Sequence, residues 1–173
     1  MPEEIIQALP GPLLEVLRHR GVPDSELDAR FSWNPDELRD RILSATGEQG
    51  IKGFDAAVAA MLSAREKGET VVVHGDYDVD GMTGTAILWL ALRRSGVNCG
   101  WTLPRRDGEG YGLSDASLER CQRTEDVFGL PDTAPREASW VVSVDTGITA
   151  CAPIARARER GLKVLLTDHH LPG

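Results

Sequence analysis

The hydrophobic pattern changes character near residue 70. From there the chain carries short β-branched runs, Thr70–His74, Asn98–Leu103, Trp140–Val144 and Lys163–Thr167, which read as four strands. Between them lie stretches of helical period, near Thr83–Ser95, Asp115–Thr124 and Ala150–Arg160, with Gly96 and Gly161 where helix C-caps belong. Strands alternating with helices predict an α/β fold with a mostly parallel sheet flanked by helices. Before residue 70 the apolar positions Ile5, Ile6, Leu9, Leu13, Leu14 and Leu17 surround a Pro-Gly-Pro break, and Phe31–Pro35 reads as a turn. A helix from Phe54 to Lys67, with Phe54, Val58, Met61 and Leu62 on one face, is ended by Gly68. Residues 1–69 are therefore expected to be a helical amino-terminal segment that packs and tethers, and residues 70–173 to carry the chemistry.

Length and composition narrow the class. At 173 residues, 41% hydrophobic and 27% charged, the chain suits one domain of ordinary size and excludes wholesale disorder. No apolar run approaches the roughly 20 residues of a membrane-spanning helix, and the Met-Pro-Glu-Glu start lacks the layout of a secretory signal. Three widely spaced cysteines fit a reducing cytoplasm. The net charge of -8 argues at first against nucleic acid. Residues 71–173, however, hold 11 basic against 14 acidic groups, and five of the 14 are aspartates in the motifs below. Local acidity of that kind reports a cation site as readily as an aversion to phosphate.

The first strand runs into His74-Gly75-Asp76-Tyr77-Asp78-Val79-Asp80-Gly81. In an extended segment His74, Asp76, Asp78 and Asp80 would face one way, and carboxylates so crowded require a cation between them. One of them could instead cap the following helix. A calcium loop fails, since with Asp76 as its first position the twelfth would be Ile87. Thr83-Gly84-Thr85 after Asp78 and Asp80 also suggests a phosphoribosyltransferase-type phosphate cradle, which accounts for one motif only. The third strand ends in Val144-Asp145-Thr146-Gly147 and the fourth in Thr167-Asp168-His169-His170. Acidic and imidazole groups thus stand at the carboxyl ends of three strands, where open α/β sheets bind ligands. Hard oxygens with imidazoles favour Mn²⁺ or Mg²⁺ over a thiolate-held zinc.

These three ordered motifs resemble those of the DHH phosphoesterases, and within them most closely the RecJ-type single-strand nucleases; the likeness covers about residues 50–173. Pro104–Leu113 resembles the segment that separates those nucleases from the family's pyrophosphatases. The resemblance implies two divalent ions, Mn²⁺ or Mg²⁺, held by Asp78, Asp80, Asp145 and His169, with Asp145 bridging. It adds His74 as a ligand used by some members, and Asp76 and Asp168 as residues that orient ligands. His170 would lie beside the scissile phosphate, donating a hydrogen bond or assisting proton transfer. Arg106, with Arg105 as understudy, is the candidate phosphate contact, and Tyr111 could stack on a base.

The implied activity is 5′-to-3′ exonucleolytic hydrolysis of single-stranded DNA in recombination and repair, by a cytoplasmic monomer partnered by single-strand-binding protein and a recombination helicase. The alternative within the family is a phosphodiesterase for oligonucleotides, cyclic dinucleotides or pyrophosphate; a non-catalytic scaffold is disfavoured because the ligands are present. Family members continue beyond the third motif with a further ligand aspartate and a second domain. The chain is therefore expected to be an amino-terminal portion, weak in metal binding and inactive alone.

Overall fold

The computed structural model describes residues 10–31, 40, 50–105 and 112–171. The chain divides into two compact units, one up to Phe54 and one from Asp55. In the first, helices α1 (Gly11–His19) and α2 (Asp24–Phe31) are joined by a turn that the Arg18 guanidinium clamps, with hydrogen bonds of 3.0 and 2.8 Å to Asp24. Ile5, Ile6, Leu9 and most of the Phe31–Pro35 turn lie outside the described residues.

The second unit is a four-stranded parallel sheet. Its elements run α3 (Phe54–Glu66), β1 (Thr70–Gly75), α4 (Val79–Arg94), β2 (Asn98–Thr102), α5 (Asp115–Gln122), β3 (Trp140–Val144), α6 (Cys151–Glu159) and β4 (Lys163–Thr167). The strand order is β2-β1-β3-β4, with Val73 in register with Trp101 on one side and Val142 on the other. The first crossover moves outward from β1 to β2, and the second returns across β1 to β3. The switch point of the topology therefore falls between β1 and β3.

Both faces are covered, which explains why the strands read as continuous apolar runs. Val71, Val73, Val142 and Val144 pack under Ala64 of α3 and Leu92 of α4. Val72 and Val141 face the other way, against Leu118 and Cys121 of α5 and Ala157 of α6. Helices α3, α4 and α6 each feed a strand through the same device: Gly68, Gly96 and Gly161 take positive φ (66°, 82° and 87°) just past the helix. The following amide then bonds back to the last turn, Glu69 N to Ala64 O, Val97 N to Leu92 O and Leu162 N to Ala157 O, at 2.9–3.1 Å. Among the described residues β4 is an edge strand, and Leu166 on it is 37% exposed.

Three readings of the sequence need correction. α4 begins at Val79, four residues before the expected Thr83, because the Asp78 carboxylate accepts from Gly81 N at 3.0 Å and caps it. His74, Asp76, Asp78 and Asp80 consequently do not form an extended row: β1 ends at Gly75, and Asp80 lies in the first helical turn. Thr83-Gly84-Thr85 is inside α4, with Thr83 Oγ1 donating back to Val79 O at 2.7 Å, so no phosphate cradle forms there.

Candidate metal centre

The turn from β1 into α4 is built by close approach. A Cβ on Gly75 would sit 1.7 Å from Thr85 Oγ1, and one on Gly81 would sit 2.7 Å from Asp76 O. Only glycine lets the strand end fold onto the helix start. Asp76 is fixed from two sides: its amide donates to Val144 O at the end of β3 at 3.1 Å, and its Oδ1 accepts from Tyr77 N at 2.7 Å.

Across the switch point, Asp145 follows β3 with a left-handed backbone, φ 61°, and donates its amide to Thr167 O at 2.8 Å. A non-glycine residue is held in this region only where its surroundings over-determine it, which is common at functional sites. The turn aims the side chain inward. Asp145 is 8% exposed, and neither carboxylate oxygen takes a hydrogen bond.

The motifs meet on this residue. Asp78, Asp80 and Asp145 bring ligand atoms within 4.8 Å of one another, and so do Asp145, His169 and His170. His169 Nε2 lies 2.8 Å from Asp145 Oδ1 and 3.9 Å from Asp80 Oδ2, and His170 Nδ1 lies 3.8 Å from Asp145 Oδ1. The His169 approach is a meeting of ligand atoms rather than an aligned hydrogen bond, since Asp145 Oδ1 stays unsatisfied. His74 and Asp76 fall outside both groups: His74 is fully buried, with Nδ1 3.8 Å from Cys121 Sγ, and Asp76 acts on the site through its charge near His170.

The electrostatics follow from burial and crowding. Burial first, then the Asp80 carboxylate, pushes the Asp145 carboxyl above its ordinary value, against the pull of His169. Asp168 shows the opposite outcome. Burial would raise it, but the amides of His170 and Ile148 (3.0 and 2.9 Å) and the His170 ring (2.7 Å) together hold it below the usual range. That ring hydrogen bond in turn raises His170. Asp168 thus ties the turn after β3 to the turn after β4 and orients His170.

The donor set fits a divalent cation. Two buried carboxylate oxygens without a hydrogen bond are costly in an apolar setting, and a cation would satisfy them. The surrounding carboxylates and imidazoles suit a hard or borderline ion.

A family model described as "DHH family, N-terminal domain" matches residues 70–173. The chain belongs to the DHH family. Among curated relatives, the single-stranded-DNA-specific exonuclease RecJ of Salmonella typhimurium is 36% identical over 126 residues, which are 72% of this chain and 20% of that protein. RecJ of Thermus thermophilus is 37% identical over 123 residues, 71% of this chain and 16% of that protein. The chain thus spans about a fifth of the length of such DHH relatives. A solved structure of exonuclease RecJ bound to manganese superposes with a TM-score of 0.59 at 35% identity, covering 71% of this chain and 29% of that one. A solved structure of Thermus thermophilus RecJ in complex with Mn²⁺ gives 0.55 at 28% identity, covering 91% and 18%.

The expected substrate contacts are less gathered. Arg105 is half-exposed and ion-paired with Asp126; Arg106 and Tyr111 lie outside the described residues. The motif reading took in Gly112 and Leu113 as the end of the Pro104–Leu113 segment but missed Arg120. A Cβ on Gly112 would lie 3.3 Å from Thr146 Oγ1, and one on Gly147 would lie 2.7 Å from Leu113 Cδ1, so the approach to α5 abuts the turn that carries Asp145. Arg120 is 5% exposed beneath the end of β2. It shares a helix face with the buried Ser117 and Cys121, a placement that its residue type does not signal.

Proposed function

We propose that this chain carries the metal-holding part of an Mn²⁺-dependent hydrolase that cleaves phosphodiesters of single-stranded DNA. Mg²⁺ is the alternative ion, and the cleavage is 5′-to-3′ exonucleolytic in recombination and repair. The observation that carries this reading is Asp145, buried at the switch point with two oxygens that take no hydrogen bond. It is supported by the RecJ relatives and by the Mn²⁺ in the solved RecJ structures. Asp78, Asp80, Asp145 and His169 would hold two ions, with Asp145 between them, and His74 and Asp76 would support them. Two such ions supply a water of lowered pKa and neutralise charge on the phosphoryl oxygens.

The chain's own residues do the rest. Asp168 takes His170 Nδ1, which leaves Nε2 to face a phosphate oxygen or the leaving group. Arg105 or Arg106 would hold a neighbouring phosphate and Tyr111 a base. Single-strand-binding protein and a recombination helicase are the proposed partners, and the cytoplasm the proposed compartment. Among the described residues no helix is long and apolar enough to cross a membrane.

The test pairs binding with cleavage. Mn²⁺ titration followed by electron paramagnetic resonance should show binding that Asp145→Ala and Asp80→Ala abolish. In a chain extended to the length of the RecJ relatives, Mn²⁺-dependent release of nucleotides should be faster from long single strands than from dinucleotides. Unchanged Mn²⁺ binding in Asp145→Ala would overturn the metal centre, and a preference for dinucleotides would overturn the substrate.

A further inference from the structure

Arg120 belongs to α5, an element that carries none of the metal-centre motifs. Its guanidinium is buried, a placement that is unfavourable unless the charge meets well-aligned acceptors. Nη1 donates to Thr102 Oγ1 at 2.6 Å and Nη2 to Leu103 O at 3.1 Å. Thr102 is the last residue of β2 and lies in register with His74, so these bonds grip the sheet beside the metal centre, where β2 ends. Arg105 stands just beyond the gripped residues, half-exposed and paired with Asp126, a carboxylate that a phosphate would have to displace or share.

The same helix fixes the far side of the connection. Ser114 and Ser117 form a reciprocal capping box at its start, at 2.9 and 3.1 Å, and Leu113 just before it is buried against the position of Gly147. A bidentate Arg156–Asp115 pair joins α5 to α6. The helix is therefore seated before Arg120 reaches back to β2.

We infer that Arg120 is a positioning residue: it locks the exit of β2, so that Arg105 is delivered to the metal-centre end of the sheet, where a phosphate of a single strand would pass. The inference rests on the proposed function for the identity of that ligand, while the lock itself is independent of it. Lysine would keep the charge but lose the two-pronged donor, and methionine would lose both while keeping an unbranched stem.

The test is hydrogen–deuterium exchange on the metal-free chain. In Arg120→Met the amides of Thr102, Leu103 and Arg105 should exchange on the order of tenfold faster, while those of Val71–His74 and Val141–Val144 stay within about twofold. Arg120→Lys should fall between, and it also serves if Arg120→Met does not fold. Mn²⁺ affinity should stay within about twofold, and affinity for fluorescent oligothymidylate in EDTA should drop severalfold, on the order of the loss of one phosphate contact. Equal acceleration across β1 and β3, or none at the β2 exit, would overturn the role of Arg120. If the wild-type chain ignores oligothymidylate, the single-strand reading falls, and the exchange pattern still decides whether Arg120 is the lock.

Discussion

Asp145→Asn separates the two demands placed on the metal centre. Without metal, the wild-type chain holds a buried carboxylate beside Asp80 and Asp78, with no hydrogen bond to either oxygen. The amide is isosteric, tolerates the left-handed backbone, removes the charge and gives the neighbouring carboxylates a donor. Relieving an unsatisfied buried group is worth about 1–3 kcal/mol, which for a chain of this size raises Tm by roughly 2–10 °C. Because the folded carboxyl titrates above its ordinary 3.8, wild-type stability is fully present below that value and declines as pH climbs through the raised one. The advantage of the variant should therefore grow across this window and level off at neutral pH.

Metal works the other way. Mn²⁺ at 100 times its Kd should stabilise the wild type by about 2.7 kcal/mol and the variant not at all. Differential scanning fluorimetry in EDTA and in Mn²⁺, at several pH values, reads both effects. A variant less stable than wild type in EDTA at neutral pH, or equally stabilised by Mn²⁺, would refute the reasoning.

Asp168→Asn should move the metal-free His170 titration down toward the ordinary 6.5, since the Asp168 carboxylate is the main cause of its rise. The stabilisation His170 draws from that partner is lost as pH rises through the raised His170 value, and it is lost again as pH falls through the lowered Asp168 value, so the variant should lose stability mainly between 3.8 and 6.5. Proton NMR of the imidazole checks the first and pH-dependent melting the second; an unmoved titration contradicts the assigned hydrogen bond. Gly75→Ala should destabilise by about 1–3 kcal/mol in a urea melt, because its Cβ meets Thr85 Oγ1 and Gly81 O. Adding Thr85→Ala should recover only part, since Gly81 O still lies 2.8 Å away.

The strands were the most legible feature. β3 and β4 begin and end where the β-branched runs do, and β3 is buried along almost its whole length, as a parallel strand covered on both faces must be. The glycine stops at 68, 96 and 161 were equally plain, since few other residues take that backbone cheaply. The start of α4 was hidden by a double meaning: an aspartate before a helix can ligate a cation or cap the amides, and Asp78 does the second while standing in reach of the first. The convergence of three strand ends could be read from spacing, but the depth of Asp145 could not. It arises from a left-handed turn and from Thr167 across the neighbouring strand, which only the assembled sheet supplies. Arg120 was hidden for a similar reason, as arginine on a short helix ordinarily faces water.

The outer side of β4 has one further consequence. Among the described residues no strand pairs with it, so its outward amides and carbonyls form a docking template next to the exposed Leu166. Lys163 at its start, held to Glu69 at 2.8 Å, is the one charged side chain in this strand. Concentrated solutions of the chain should therefore be prone to strand-to-strand association along this rim, and extra lysines placed there are the remedy to use before crystallisation.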